Sequence, residues 1–189
     1  MDTPDAELMR RLQNGEDSAL NELMNRWQQP LVGFIFRYVG NQADAMDLAQ
    51  ETFVRVYENR RRYKPSAKFS SWLFTIATNL SLNLSRWQKR HPTVTLDGYT
   101  QDSIPLIETL VATTDQPSTS AEHKERAVAV RQAIQALPHD LRTTLLLFQY
   151  QDLSYDEIAT VLGCSSKAVE TRLYRARAIL RDQLADVIL

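Results

Sequence analysis

The residues best suited to chemistry lie near the C-terminus, where cations cluster on a predicted helix. From Lys167 to Arg181 the chain carries five cations and one anion, Glu170. Lysine and arginine on a helix neutralise phosphates, and they can also donate hydrogen bonds to the edge of guanine in the major groove. The chemistry predicted for this end of the chain is therefore binding of nucleic acid.

Two short helices are predicted to position this cluster. Ser154 and Glu157 have the spacing of a capping box, and Gly163 suits a left-handed helix end. Ser165 or Ser166 would then cap the next helix. In a helix-turn-helix, the N-terminal part of the second helix enters the major groove. The outward positions of that helix are Ser166, Lys167, Glu170, Thr171, Tyr174, Arg175 and Arg177. An αα-hairpin with a solvated basic face would show the same pattern, so both interpretations stay open.

A second candidate site mixes cations with aromatic residues. The segment "NRRRYKPSAKFSSW" at residues 59–72 places five cations near Tyr63, Phe69 and Trp72. Such mixtures suit single-stranded DNA, because cations follow the phosphates while rings stack on exposed bases. Asn79 could present a donor and an acceptor to a base edge, or it could be an ordinary surface amide.

Helices must position both sites, and the sequence predicts an all-α fold. Apolar residues recur at helical spacing over 20–31, 41–63 and 68–91. Pro30 falls inside the first pattern and should kink or divide that helix. Four more helical segments are predicted after residue 120, which makes the second part a four-helix domain containing the helix-turn-helix.

Charge is segregated along the chain in a way that the net charge of −1 conceals. Residues 1–91 hold 13 bases and 10 acids, residues 92–122 hold no base and 5 acids, and residues 123–189 hold 9 bases and 8 acids. The middle segment is also rich in proline, serine and threonine, which is typical of a linker. We therefore predict two small helical domains, 1–91 and 123–189, joined by an acidic flexible linker at 92–122.

Several protein classes find no support in the sequence. The single cysteine, Cys164, leaves no internal disulfide and fits a reducing cytoplasm, and the three histidines form no cluster at metal-ligand spacing. No apolar run reaches membrane-spanning length, and the acidic N-terminus does not have the form of a signal peptide. No nucleophile–base pair or phosphate loop is recognisable. We predict a cytoplasmic protein that is not an enzyme, does not insert into membranes and needs no cofactor or metal.

Three motifs together resemble one protein family. "DAMDLAQETFVRVYENRRRY", "FSSWLFTIATNLSLNLSR" and "ALPHDLRTTLLLFQYQDLSYDEIATVLGCSSKAVETRLYRARAILR" occur in an order and spacing similar to the extracytoplasmic-function group of bacterial sigma factors. The resemblance implies a non-enzymatic factor that directs RNA polymerase to promoters and assists promoter opening. The domain at 1–91 would then bind core polymerase and the minus-ten element, and the domain at 123–189 would bind the minus-thirty-five element.

The resemblance also assigns site residues. The minus-ten set comprises Lys64, Ser66, Ala67, Lys68, Phe69, Asn79, Arg86, Lys89 and Arg90, in which Phe69 and Asn79 match a pocket for a flipped base. Pro65 departs from the usual residue in that loop, which leaves the base preference open. The minus-thirty-five set comprises Ser166, Lys167, Glu170, Thr171, Arg172, Tyr174, Arg175 and Arg177. Glu170 departs from the basic residue frequent in the family; it could accept a hydrogen bond from cytosine or simply pair with Lys167.

Protein partners are implied as well. A face of the second motif would dock on the clamp helices of the polymerase; its members are Asp44, Asp47, Gln50, Glu51 and Arg55. A solvated acidic face is the alternative. Part of the apolar run Leu145–Phe148 could meet the polymerase flap tip or pack wholly in the core. The linker could thread the polymerase along the RNA path or act as a spacer. An anti-sigma factor is a further expected partner. A stand-alone helix-turn-helix regulator and a protein-binding scaffold remain the rival functions.

Overall fold

The computed structural model describes residues 4–65, 67–91 and 120–185. Within these ranges all regular structure is helical. Ser66 and residues 92–119, which include most of the predicted linker, lie outside the described residues. The all-α prediction is confirmed.

The first domain contains four α-helices. They are α1 (Pro4–Gln13), α2 (Ser18–Val39), α3 (Gln42–Glu58) and α4 (Phe69–Arg90), with a short 3-10 turn at Arg60–Arg62 before the last. Asn41 caps α3 by accepting a hydrogen bond from the backbone N–H of Asp44 at 3.0 Å. Helix α2 ends at Gly40, whose φ of 84° suits the left-handed conformation that glycine tolerates.

Helix α2 is not divided at Pro30, contrary to one outcome that the sequence left open. Leu31, Phe34 and Ile35 follow the proline and are all fully buried. Burying these side chains against the rest of the domain offsets the loss of one backbone hydrogen bond. The helix therefore continues for nine residues beyond the proline, to Val39.

The second domain contains four α-helices, as expected. They are α5 (Ser120–Ala136), α6 (His139–Gln151), α7 (Tyr155–Leu162) and α8 (Ser166–Gln183). Helix α5 thus starts just inside the segment assigned to the linker from sequence. The capping box of Ser154 and Glu157 is complete, with both reciprocal hydrogen bonds present. Gly163 ends α7 at φ 60°, and the Ser165 side chain accepts from the backbone N–H of Ala168 to start α8.

The two domains pack against each other. Helix α6 contacts α2 of the first domain as well as α7 and α8 of its own, and α7 contacts α4. Leu145, Leu146 and Leu147 are all buried, although they are consecutive. One hydrophobic cluster consequently runs through both domains.

No helix within the described residues combines the length and apolar character that a bilayer span requires.

Candidate nucleic-acid interface

Helix α8 presents a cationic face to solvent. Val169, Leu173 and Ala176 are buried against the domain, which turns the opposite face outward. The exposed members of the sequence-predicted set are Lys167, Glu170, Thr171, Tyr174, Arg175 and Arg177. Tyr174 is 74% exposed, so its ring stands free among the cations. This face has the composition that a helix in the major groove requires.

Two members of the predicted minus-thirty-five set, Arg172 and Ser166, are not fully exposed on this face. The Arg172 guanidinium donates to Asp140 Oδ2 of α6 at 3.2 Å and contacts Cys164 Sγ at 3.6 Å. Its side chain is only 25% exposed. Ser166 is half-buried, and its hydroxyl donates to Asp156 on α7. Arg172 and Ser166 therefore brace the helix-turn-helix. Ser166, predicted to face outward, is half-buried, and Arg172, which the resemblance assigns to the minus-thirty-five set, is directed toward α6.

Glu170 pairs with Lys167 in this structure. The Lys167 Nζ and Glu170 Oε2 atoms are 2.7 Å apart, and both side chains are exposed. An exposed pair at this spacing adds little to stability, because water and salt screen it. Lys167 therefore holds Glu170 only weakly.

Hydrogen bonds from the side chains of Tyr63 and Gln13 hold the backbone of the basic loop that precedes α4. The Tyr63 hydroxyl donates to the Ala67 carbonyl at 2.7 Å. The Gln13 side-chain amide donates to the carbonyls of Arg60 and Tyr63 at 2.7 and 3.0 Å. These bonds fix the loop backbone while Lys64, Ala67 and Lys68 stay exposed.

Phe69 does not line an open pocket. It is 1% exposed and lies within an aromatic cluster, with ring centroids 6.1 Å from Trp27, 6.2 Å from Tyr63 and 6.3 Å from Trp72. Its position as the first residue of α4 turns the ring toward α2, where burial is favourable. The resemblance assigns Phe69 to the pocket for a flipped base; in this structure its ring is buried and supports the loop from inside.

The solvent-facing side of α4 carries a line of polar, aromatic and basic residues. Asn79, Asn83 and Trp87 are exposed at spacings of four residues, so they share one face. The predicted cations of α4 are exposed along and beside this line; they are Arg86, Lys89 and Arg90.

Trp87 was missed by sequence reasoning. It is 49% exposed, and its indole stacks on His91 with ring centroids 5.0 Å apart. The imidazole covers one face of the indole, which leaves the other toward solvent. A shallow depression of about 890 Å³ surrounds it, lined by Asn83, Leu84, Arg86, Trp87, Lys89 and Arg90. The four-residue spacing from Asn79 was a signal that could have identified both Asn83 and Trp87.

The predicted polymerase-binding face lies on α3. Asp47, Gln50 and Arg55 are exposed, whereas Asp44 and Glu51 are half-buried. Asp44 accepts a hydrogen bond from Gln88 at 3.1 Å, and Glu51 accepts one from Arg55 at 2.7 Å. Met46 and Val54 are exposed large apolar residues on the same helix. The face is therefore mixed acidic and apolar, which is a better protein-docking surface than charge alone.

Comparison with known proteins identifies both domains. Residues 23–91 match the family described as Sigma-70 region 2, and residues 127–180 match the family described as Sigma-70, region 4. The RNA polymerase sigma-H factor of Pseudomonas aeruginosa is 32% identical over 186 residues, which cover 97% of this chain and 95% of that protein. The ECF RNA polymerase sigma factor SigW of Bacillus subtilis is 30% identical over 181 residues, covering 95% and 96% of the two chains.

Solved structures agree with this fold. CnrH, solved in complex with the cytosolic domain of CnrY, matches with a TM-score of 0.71 and 25% identity, covering 96% of this chain and 97% of CnrH. The sigma factor RpoE of Bartonella quintana, solved with the anti-sigma factor NepR, has a TM-score of 0.65 at 21% identity and covers 87% and 96% of the two chains. The chain therefore belongs to the extracytoplasmic-function sigma factors, initiation factors that direct bacterial RNA polymerase to specific promoters.

Proposed function

We propose that this sigma factor reads the minus-ten element with the first domain and the minus-thirty-five element with the helix-turn-helix. The observation that carries the proposal is that each domain exposes an aromatic ring amid cations, Trp87 on α4 and Tyr174 on α8. Rings stack on bases while cations hold phosphates. Residues 1–91 and 123–189 would act as the two functional units.

In the minus-ten site, the loop residues Lys64, Ser66, Ala67 and Lys68 border the displaced base, and Asn79 contacts its edge. Phe69 supports the loop through the aromatic cluster, because its ring is buried. Arg86, Lys89 and Arg90 contact phosphates next to the melted segment. Extruding a base costs a few kcal/mol, which these contacts must offset.

In the minus-thirty-five site, Lys167, Thr171, Tyr174, Arg175 and Arg177 face the major groove. Arg172 and Ser166 hold the helix at its angle through α6 and α7. Glu170 separates from Lys167 and accepts a hydrogen bond from a cytosine amino group. Few other side chains can accept that bond.

The remaining proposals concern protein partners. The α3 face of Asp44, Asp47, Gln50, Glu51 and Arg55 docks on the polymerase clamp helices, with Met46 adding apolar contact. Part of the apolar run Leu145–Phe148 on α6 meets the flap tip; Phe148 is the member of that run that is not fully buried. CnrH was solved with the cytosolic domain of CnrY, and RpoE with an anti-sigma factor, so an anti-sigma partner is proposed for this chain too. The protein would act in the cytoplasm, where polymerase and chromosome are, and perform no covalent chemistry of its own.

Run-off transcription with purified core polymerase and a promoter library tests the proposal. We expect defined transcripts only from promoters that carry both elements. A stand-alone regulator would instead bind promoter duplex tightly without polymerase and yield no run-off product. Tight binding of promoter duplex without polymerase, or the absence of a run-off product, would contradict the assignment of the two faces to the promoter elements.

A further inference from the structure

The last residue of α1 is hydrogen-bonded to the turn that leads into the minus-ten loop, residues 64–68. We infer that Gln13 is a positioning residue for promoter opening, which sets the shape of this loop without contacting DNA itself. The match to Sigma-70 region 2 covers residues 23–91, so Gln13 lies outside the matched segment. The inference rests on the proposed function and adds a residue of α1 to it.

The Gln13 side-chain amide holds both ends of the 3-10 turn at Arg60–Arg62. Its Nε2 atom donates to the Arg60 carbonyl at 2.7 Å and to the Tyr63 carbonyl at 3.0 Å. Because carbonyl oxygens only accept hydrogen bonds, both N–H groups of the amide are used by these two carbonyls. Gln13 therefore fixes the residue where the turn begins and the residue from which the minus-ten loop starts.

Tyr63 extends this restraint across the loop. Its carbonyl accepts from Gln13, and its hydroxyl donates to the Ala67 carbonyl at 2.7 Å. The backbone N–H of Ala67 in turn donates to the Lys64 carbonyl at 3.0 Å. Tyr63 is buried, and its ring packs on Trp72 with the ring centroids 5.3 Å apart. Gln13 and Tyr63 consequently hold the two ends of the loop, while the Lys64 side chain stays exposed.

Helix α1 gives the Gln13 side chain a fixed base. Leu8, Met9 and Leu12 of this helix are buried in the hydrophobic cluster. The helix ends at Gln13, and the backbone N–H of Gly15 donates to the Leu12 carbonyl at 3.2 Å to close the turn that follows. An amide mounted on a packed helix is held more precisely than one on a loop, so α1 can keep the loop backbone in one place.

A preformed loop suits the recognition of a displaced base. Contacts to the base form only if the loop atoms are in place, and a shift of about 1 Å in such atoms can lower a rate about a hundredfold. The Gln13 amide has no N–H group left to donate to a base, so it acts through the loop backbone. The proposed polymerase-binding face lies on α3, so polymerase docking should not depend on Gln13.

Gln13→Glu tests the inference with a side chain of the same size. At neutral pH its carboxylate can only accept hydrogen bonds, so two carbonyl oxygens would face it without a donor. Asn14→Glu is the matched control, because residue 14 is exposed at the next position and gains the same charge. Each variant is combined with core polymerase on a set of promoters that differ only at the displaced minus-ten base.

The expected effect is confined to the opening step and to base selection. We expect Gln13→Glu to lower both the rate of promoter opening and the preference for the best base about tenfold. The affinity for core polymerase and the initial binding of closed promoter duplex should stay close to wild type. Asn14→Glu should match wild type in every measurement. Stopped-flow fluorescence of a base analogue at the displaced position measures opening, and run-off yields across the promoter set measure base preference.

Tyr63→Phe is an independent variant that decides the question if Gln13→Glu disturbs folding. It removes the hydrogen bond to the Ala67 carbonyl and keeps the ring in the aromatic cluster. We expect the same loss of base preference. Combined with Gln13→Ala, the loss should be smaller than the product of the two single losses, because both side chains hold one loop.

The outcomes separate the role of Gln13 from the function of the protein. If Gln13→Glu opens promoters and selects the base as Asn14→Glu does, Gln13 does not position the loop and the inference is wrong. A loss of stability, polymerase affinity and opening together, with base preference unchanged in Gln13→Glu and in Tyr63→Phe, would show a purely structural role and would also overturn it. If the wild-type protein directs no run-off from any promoter, the proposed function itself fails, and the inference fails with it.

Discussion

The Tyr38 hydroxyl lies 2.5 Å from Nδ1 of His139, so an imidazole joins α2 of the first domain to α6 of the second. Burial raises the pKa of Tyr38 and lowers the pKa of His139, and both directions favour a neutral pair in which tyrosine donates to imidazole. Asp140 opposes the lowered pKa of His139, whereas Arg142, Arg86 and Arg172 reinforce it. The domain interface therefore contains a histidine that burial favours in its neutral form.

Stability should fall as the pH drops from neutral toward 5. The pKa of His139 lies below its ordinary 6.5 in the folded protein, so the unfolded chain binds more protons between the two values. Its contribution is complete above pH 6.5 and is lost as the pH falls toward the folded-state pKa. Urea unfolding at pH 7.5 and 5.5 measures the difference, which should shrink in His139→Gln.

Glu157 and Glu16 do not obscure this window. The pKa of Glu157 is lowered, because hydrogen bonds from Lys68 and Ser154 outweigh the effect of burial, and Arg11 lowers the pKa of Glu16 to about 2. Their contributions persist above the ordinary glutamate pKa of 4.5 and are lost only below it. An equal decline between pH 7.5 and 5.5 in wild type and His139→Gln would refute the role of His139.

Asn79 and Phe69 should separate DNA opening from folding. Asn79 is exposed, so Asn79→Ala should change stability by less than about 0.5 kcal/mol while impairing open-complex formation. Phe69 is buried, so Phe69→Ala should cost roughly 3–5 kcal/mol of folding free energy. Permanganate footprinting and chemical denaturation measure the two effects. Normal melting by Asn79→Ala with polymerase would remove that residue from the proposed site.

Trp87 and Lys89 should differ in how salt affects their contribution to binding. Stacking on a base contributes about 1–3 kcal/mol and is not a counterion effect, so Trp87→Ala should weaken binding with little change in salt slope. Lys89→Ala should instead reduce the slope of log K against log salt by about 1. Titration of a forked minus-ten DNA at several salt concentrations, with polymerase present, measures both. Trp87→Phe should retain part of the affinity, and full affinity in Trp87→Ala would exclude stacking.

The helix caps around α7 could be predicted from the sequence. Ser154, Glu157 and Gly163 are close in sequence and act through backbone groups within one turn, so their capping roles could be predicted and are confirmed. The two-domain helical architecture and the family also followed from the order of the motifs.

Features that depend on contacts between residues far apart in the chain could not be predicted from the sequence. Phe69 is buried because Trp27 on α2 and Tyr63 before α4 complete an aromatic cluster around it. Arg172 turns inward because Asp140 lies on a different helix, 32 residues earlier. The burial of three consecutive leucines required knowing that α2 packs against α6. None of these partners is fixed by local spacing.

The acidic face of α3 provides the last prediction, which concerns polymerase binding. Asp47→Lys with Glu51→Lys reverses two charges on one side of α3. The new lysines would repel positive charge on the clamp helices that the native carboxylates attract. Because Asp47 is exposed and Glu51 pairs with Arg55 at the surface, folding should be little affected. We expect core-polymerase affinity to fall about tenfold or more, mainly through a slower association rate at low salt. Fluorescence anisotropy measures the affinity, with Glu22→Lys on α2 as a charge-reversal control outside the face. Equal affinities for the double variant and the control would show that α3 does not dock through these carboxylates.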